Sequence, residues 1–241
     1  MTVKRIGHKG ADLIAPGNTL ASFDAALAAG VDMIEFDVLP DLGPDGRPDV
    51  ARGSLLLAHD YGDMQGREAL GLGDGLAHLA SPPFDGIELD VDLKIPGYEL
   101  RVVDALRAHG LVERALISST YPESLARLRA YEPRLRLGWS VPRARRDYTA
   151  SALYKLPAYA AVQVISRRLP GRAAQALRAR RCDALMVHWR LVTPRLVREV
   201  DAAGGELYVW TVDEAPRIRA LASLGVTGII TNDPRLFTAP A

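Results

Sequence analysis

Short apolar runs alternate with helix-forming stretches along almost the whole of this 241-residue chain, and few folds accept that rhythm. The runs are "KRIGH", "MIEFDV", "GIELDVDL", "ALISS", "LRLGWS", "ALMVHW", "ELYVWTV" and "VTGIIT". Between them lie amphipathic segments such as "NTLASFDAALAAG", where Asn18, Thr19 or Ser22 can cap a helix and Gly30 can stop it. A helix around Leu100 to His109 ends at Gly110, and "PESLARLRAYEP", "TPRLVREVDAAG" and "APRIRALASLG" follow the later runs. The stretch from Val141 to Pro170 carries no clear pattern. Strand–helix alternation argues for parallel βα units. Eight units in a chain near the usual length of about 250 residues predict an α/β fold, a closed (β/α)8 (TIM) barrel. An open doubly wound sheet is the alternative. "SLLLAHD" follows the second strand with no helix between and predicts a short hairpin arm over the barrel mouth, with "DLGPDGRPD" supplying the turn. No linker or low-complexity segment divides the chain, so residues 1–241 are expected to form a single domain.

Composition narrows the function. Hydrophobic residues make up 48%, enough for a substantial core, and the net charge of +1 gives no reason to expect a nucleic-acid partner. The arginine-rich "RAAQALRARR" has no interleaved aromatics and reads as a solvated helix face. Cys182 is the only cysteine, which excludes an intrachain disulfide and a cysteine zinc site. The N-terminus lacks an apolar signal core and no run of about 18 apolar residues occurs. The expectation is a cytoplasmic protein without stable membrane insertion.

In a barrel, chemistry belongs at the C-terminal ends of the strands. His8 follows strand one, Glu35 and Asp37 end strand two, His59 and Asp60 end the arm, and Asp92 and Lys94 end strand three. Side chains alternate along a strand, so Glu35 and Asp37 share one face. In "GIELDVDLK", Glu88, Asp90, Asp92 and Lys94 likewise oppose Ile87, Leu89, Val91 and Leu93. Buried, unpaired carboxylates cost several kcal/mol each or take up protons. A divalent cation held by Glu35, Asp37 and Asp92 removes that cost, and an all-oxygen set favours Mg²⁺ or Ca²⁺ over zinc. A salt-bridged interior, with Lys94 and Lys9 neutralising the acids, is equally consistent with the periodicity. So is a half-exposed antiparallel strand. Two histidines beside the acids favour chemistry, since imidazole exchanges protons near neutral pH. His188 and Trp210 end later strands and are candidates to line the pocket. His109 reads as a helix-end contact, and His78 falls in an irregular segment. "GLGDG" has no preceding strand and makes a poor phosphate loop. Ser118 and Ser119 lack the elbow of a nucleophile.

Taken in order, "GHKG…APGNTLASFDAALAAGVDMIEFDV", "LLLAHD", "LDVDLK", "LISSTYPESLARLRAYEP", "YVWTVD" and "GVTGIITNDP" resemble the glycerophosphodiester phosphodiesterase family, whose motifs run HRG, PENT, E-x-D, HD and E-x-K. The resemblance implies a TIM barrel that hydrolyses a phosphodiester to an alcohol and a phosphomonoester. It implies Glu35 and Asp37 as metal ligands with Asp92 at the third position, and His8 and His59 as the acid–base pair. Lys94 would contact the phosphate, and Lys9 would take the place of the family's arginine. Lysine keeps the charge there but loses the bidentate fork. Gly17 stands where the family has a glutamate, and Asp92 is one methylene shorter than the usual ligand. The segment from Asp60 to Asp92 is short, so an open site is expected. The D-L-K ending of strand three is similar to the sphingomyelinase D-like phospholipases, which implies a lysolipid substrate as a second possibility. A barrel that binds a phosphorylated ligand without turnover is the third. Oligomeric state is not legible.

Overall fold

The computed structural model describes residues 3–64, 68–142 and 155–238, with only the backbone for 155–163. In chain order the elements are β1 (Lys4–Gly7), α1 (Leu20–Ala28), β2 (Met33–Pro40), β3 (Leu55–Leu57), β4 (Leu70–Gly71), α2 (Leu72–Leu79), β5 (Glu88–Leu93), α3 (Glu99–Ala108), β6 (Ala115–Ser119) and α4 (Pro122–Tyr131). They continue as β7 (Arg136–Val141), α5 (Lys155–Arg178), β8 (Ala184–His188), α6 (Pro194–Asp201), β9 (Glu206–Trp210), α7 (Ala215–Ser223) and β10 (Gly228–Thr231). Strands β1, β2 and β5 to β10 pair side by side in parallel, and β1 contacts both β10 and β2, which closes the ring. This is the (β/α)8 barrel that the alternation predicts. The arm is β3, antiparallel to β2 through Val38 and Leu57, with the two-residue β4 added at its outer edge.

Two apolar layers hold the barrel. Outward-facing strand residues such as Ile34, Phe36, Leu89, Val91 and Ile117 are buried under the helices. Inside, Ile6, Met33, Leu116, Met186, Tyr208 and Ile230 fill the middle of the ring. Burying a side chain of this size contributes about 1.5–3 kcal/mol. Glycine at two inward positions makes room: a Cβ on Gly138 would meet Met186 at 3.0 Å, and one on Gly228 would meet Tyr208 at 2.8 Å.

Below that plug lies a charged layer. Glu88 accepts from Lys4 and from Arg136, both at 2.5 Å, and Arg136 also reaches Glu206 at 2.7 Å. Burial raises the Glu88 carboxyl, but Lys4 and Arg136 outweigh it and hold the group below its ordinary value. Its contribution is therefore complete above the ordinary glutamate pKa and fades as pH falls through the depressed one. Arg136→Ala should cost about 2 kcal/mol, less than the ~3–5 kcal/mol of a fully buried pair because this layer is partly exposed. Urea unfolding at neutral and acidic pH measures this, with a smaller gap from wild type expected in acid. An unmoved midpoint at neutral pH removes the charged layer from the account.

Two local expectations change. The segment around His78 is helical: Leu72, Leu76 and Leu79 are buried one helical turn apart, and that packing outweighs the glycines of "GLGDG". His78 is half-buried there, 2.8 Å from Asp24 and with its ring tilted against that of Phe84 at 5.0 Å. Pro170, where the unpatterned stretch was expected to end, lies inside α5, while residues 143–154 of that stretch fall outside the described residues. Among the described residues no helix is long and apolar enough to cross a membrane.

Candidate active site

The turn after β1 is built without room for side chains. A Cβ on Gly7 would lie 1.9 Å from the Gly10 carbonyl oxygen, and Gly10 has φ +85° against Ser22. Lys9 is itself in the left-handed region at φ 50°. This tight loop presents His8 inward, its backbone N–H bonded to Thr231 of β10 at 2.8 Å. It also aims the Lys9 N–H at Glu35 Oε2, 2.8 Å away.

Strand register assembles the acids. On β2 and β5, Glu35 lies opposite Asp90 and Asp37 opposite Asp92. Directly opposed residues on adjacent strands are neighbours, so like charges here need a counter-charge. Oxygens of Glu35, Asp37 and Asp92 all lie within 4.8 Å of one another. Lys94 Nζ reaches into the group, 2.5 Å from Asp37 Oδ1 and 2.6 Å from Asp92 Oδ2. The wholly buried Asp37 Oδ1 thus has the Lys94 ammonium as its counter-charge. Its partner Oδ2 accepts from Asn18 Nδ2 at 2.9 Å, and Asn18 Oδ1 accepts from the Asp37 N–H at 3.0 Å. Ser118, next to Asp92 on β6, donates to Asp90 at 2.7 Å and lies 3.2 Å from Asp92 Oδ1.

Electrostatics separates these groups. Burial and the adjacent Asp37 push Glu35 well above the usual carboxylate range. Burial alone would raise Asp37 too, yet Lys94, His59 and His8 together hold it well below that range. Burial and Asp92 bring Asp90 up to about 8. Lys94 resists desolvation because Asp37, Asp92 and Glu35 surround it, and its pKa lies well above the ordinary lysine value. Burial lowers His8, with Asp37 and Asn232 opposing in part. The set fits a hard divalent cation: three carboxylates converge, and every donor in the group is an oxygen.

The other expected residues fall around this centre. His8 Nε2 is 3.9 Å from Glu35 Oε2, and His59 sits at the end of β3, which runs back along β2 toward Asp37. His59 is half-exposed, with Nδ1 3.3 Å from Asp60 and its N–H on Asp63. Lys9 does not neutralise the cluster as the salt-bridged alternative required: its ammonium turns to Asp12 at 3.3 Å. Gly17 is part of that corner, its N–H donating to Asp12 Oδ1 at 2.9 Å. His188 and Trp210 face each other across β8 and β9 with rings 5.3 Å apart and nearly perpendicular. Ser118 and Ser119 are buried hydrogen-bond residues.

Five residues at the site are not legible as such in the sequence. Asn18 was a candidate cap, but Thr19 caps α1 and Asn18 grips Asp37 instead. Ser118 reads in the sequence only as a failed nucleophile, whereas its hydroxyl serves Asp90 and Asp92. Asp213 and Asn232 lie in "WTVD" and "TNDP", where the motif was visible and the pairing was not. Tyr98, fully buried, donates to the Val38 carbonyl and accepts from the Lys94 N–H, tying the ends of β2 and β5 together.

Comparison with known proteins agrees with this geometry. The model of the glycerophosphoryl diester phosphodiesterase family matches residues 8–41 and 97–236. A glycerophosphodiester phosphodiesterase of Caldanaerobacter subterraneus subsp. tengcongensis is 25% identical over 256 aligned positions, spanning 95% of this chain and 93% of that protein. The fold matches a glycerophosphodiester phosphodiesterase from Parabacteroides distasonis with a TM-score of 0.73 at 17% identity, covering 96% of this chain and 93% of that one. It also matches an Oleispira antarctica phosphodiesterase solved with the product sn-glycerol-3-phosphate, with a TM-score of 0.71 at 18% identity, covering 98% and 96%. With its family model spanning both the histidine turn and most of the barrel, this chain belongs to the glycerophosphoryl diester phosphodiesterase family and is a phosphoric diester hydrolase.

Proposed function

We propose that this protein cleaves glycerophosphodiesters to an alcohol and glycerol 3-phosphate, using a divalent cation, Mg²⁺ or Ca²⁺, and two histidines. The observation that carries the reading is the convergence of Glu35, Asp37 and Asp92 within 4.8 Å, with His8 Nε2 3.9 Å from Glu35. Glu35, Asp37 and Asp92 would hold the ion, which supplies Lewis-acid neutralisation of the anionic phosphodiester when bound. Lys94 adds a fixed positive charge for the same phosphate oxygens. One histidine accepts the proton of the attacking hydroxyl or water, and the other protonates the departing oxygen. His188 and Trp210 flank the alcohol side, and Lys9 extends the positive rim. The expected cytoplasmic location and single-domain organisation remain part of this proposal.

A lysolipid is the second substrate to consider. Leu13 and Ile14 are exposed on the β1–α1 connection, whose Leu13 N–H bonds the carbonyl of Asn232, the residue that contacts His8. Purified protein should release sn-glycerol 3-phosphate from glycerophosphocholine with Mg²⁺ or Ca²⁺ and lose this activity in EDTA. Lysophosphatidylcholine, run in parallel, tests the second substrate. Glu35→Gln should weaken ion binding about 10-fold or more by calorimetry. Full turnover in EDTA, or unchanged affinity in the variant, overturns the metal assignment.

A further inference from the structure

The hydrogen bonds behind His8 can be counted, and the count leaves one arrangement. Asp213 follows β9, and Asn232 follows β10. Two donors from Asn232 meet the Asp213 carboxylate: its backbone N–H at Oδ1, 2.8 Å away, and its Nδ2 at Oδ2, 2.7 Å away. Thr231 Oγ1 adds a third donor to Oδ1 at 3.0 Å. A carboxylate has no proton to return, so the amide nitrogen of Asn232 is committed to Asp213. Its Oδ1 must then face the other way, and it lies 2.6 Å from His8 Nδ1. An amide oxygen only accepts, so His8 Nδ1 carries the hydrogen.

We infer that Asp213 and Asn232 are a positioning pair that fixes neutral His8 as its Nδ1–H tautomer, with the Nε2 lone pair turned toward Glu35 and the carboxylate cluster. This deepens the proposed function: with Nδ1 held as a donor, a neutral His8 offers only Nε2 to an incoming proton, and the proposed step runs in that direction. As the attacking oxygen bonds to phosphorus, its proton passes to Nε2. The bond from phosphorus to the leaving oxygen breaks, and that oxygen takes a proton from His59. No electrons are transferred.

The same count says what should disturb the pair. In Asp213→Asn, the backbone N–H of Asn232 still needs an acceptor, so the new amide places its oxygen there. Its NH₂ then faces Asn232 Nδ2, two donors in opposition. Asn232 must flip, its NH₂ turns to His8, and the hydrogen moves to Nε2. The double exchange Asp213→Asn with Asn232→Asp restores an acceptor opposite Nδ1 and should return the first tautomer.

Nitrogen-15 NMR of labelled histidine, assigned with His8→Ala, reads the tautomer without turnover. Wild type should show a protonated Nδ1 and a bare Nε2, Asp213→Asn the reverse, and the double exchange the wild-type pattern. In kinetics, Asp213→Asn should lower kcat about 10²-fold or more with KM changed less, because the lone pair faces away, and the double exchange should recover most of the loss. Thermal denaturation of each variant identifies one that fails to fold, in which case the double exchange alone decides. A wild-type Nε2–H signal overturns the inference, and so does an Asp213→Asn variant with unchanged tautomer and kcat. Failure of the proposed function looks different: no substrate is turned over while the NMR pattern stands.

Discussion

Replacing His8 by alanine is expected to lower kcat by about 10²- to 10⁴-fold, the usual range for removing a proton-transfer group. The structural loss is small. The His8 side chain hydrogen-bonds Asn232, worth about 1 kcal/mol, and meets Glu35 only at 3.9 Å, so the melting temperature should fall by only a few degrees. His59→Ala should lose a similar factor in rate with still less effect on stability, because that ring is half-exposed and lies 3.3 Å from its neighbour Asp60. Steady-state kinetics beside thermal denaturation separates the two effects. Near wild-type kcat in either folded variant would sink the paired-histidine mechanism.

The second large effect belongs to Lys94. Its ammonium is the only cation among the described residues within 2.6 Å of both Asp37 and Asp92, and Glu35 adds a third attraction. Lys94→Met leaves those acids without a counter-charge. Removing one partner of a buried ion cluster typically costs about 3–5 kcal/mol. The ion-free variant should therefore melt well below wild type. Divalent ion should raise the variant's melting temperature more than that of wild type, because in the variant only the ion supplies the missing charge. Calorimetric scans with and without Mg²⁺ or Ca²⁺ make the comparison. Equal ion-induced shifts in the two proteins would show that Lys94 and the ion do not answer the same need.

The barrel was legible because its strands announce themselves twice, as apolar runs and as breaks in helical periodicity. All eight parallel strands fall on the runs read from the sequence. The helix around His78 was not legible: two glycines mimic a turn, and only the third dimension shows Leu76 and Leu79 sealed against the core. The acids were legible because alternation alone puts Glu35 with Asp37 and Asp90 with Asp92. Their pairing across strands was not, since register depends on how β2 and β5 dock. Lys94 shows the limit. Sequence order allows both a lysine for phosphate and a lysine for the acids, and the geometry places the Lys94 ammonium against Asp37 and Asp92. Asn18, Ser118, Asp213 and Asn232 act through a few hydrogen bonds between distant segments, and such bonds leave no periodic trace.

Tyr98 has one more effect. By bonding Val38 on one stave and Lys94 on the next, its hydroxyl rivets the two walls that carry Asp37 and Asp92. Walls fastened in this way cannot spread apart independently to suit a guest of larger radius. On the proposed reading, discrimination between ions of different size would then come from a stiff backbone frame more than from the chemistry of the oxygens themselves.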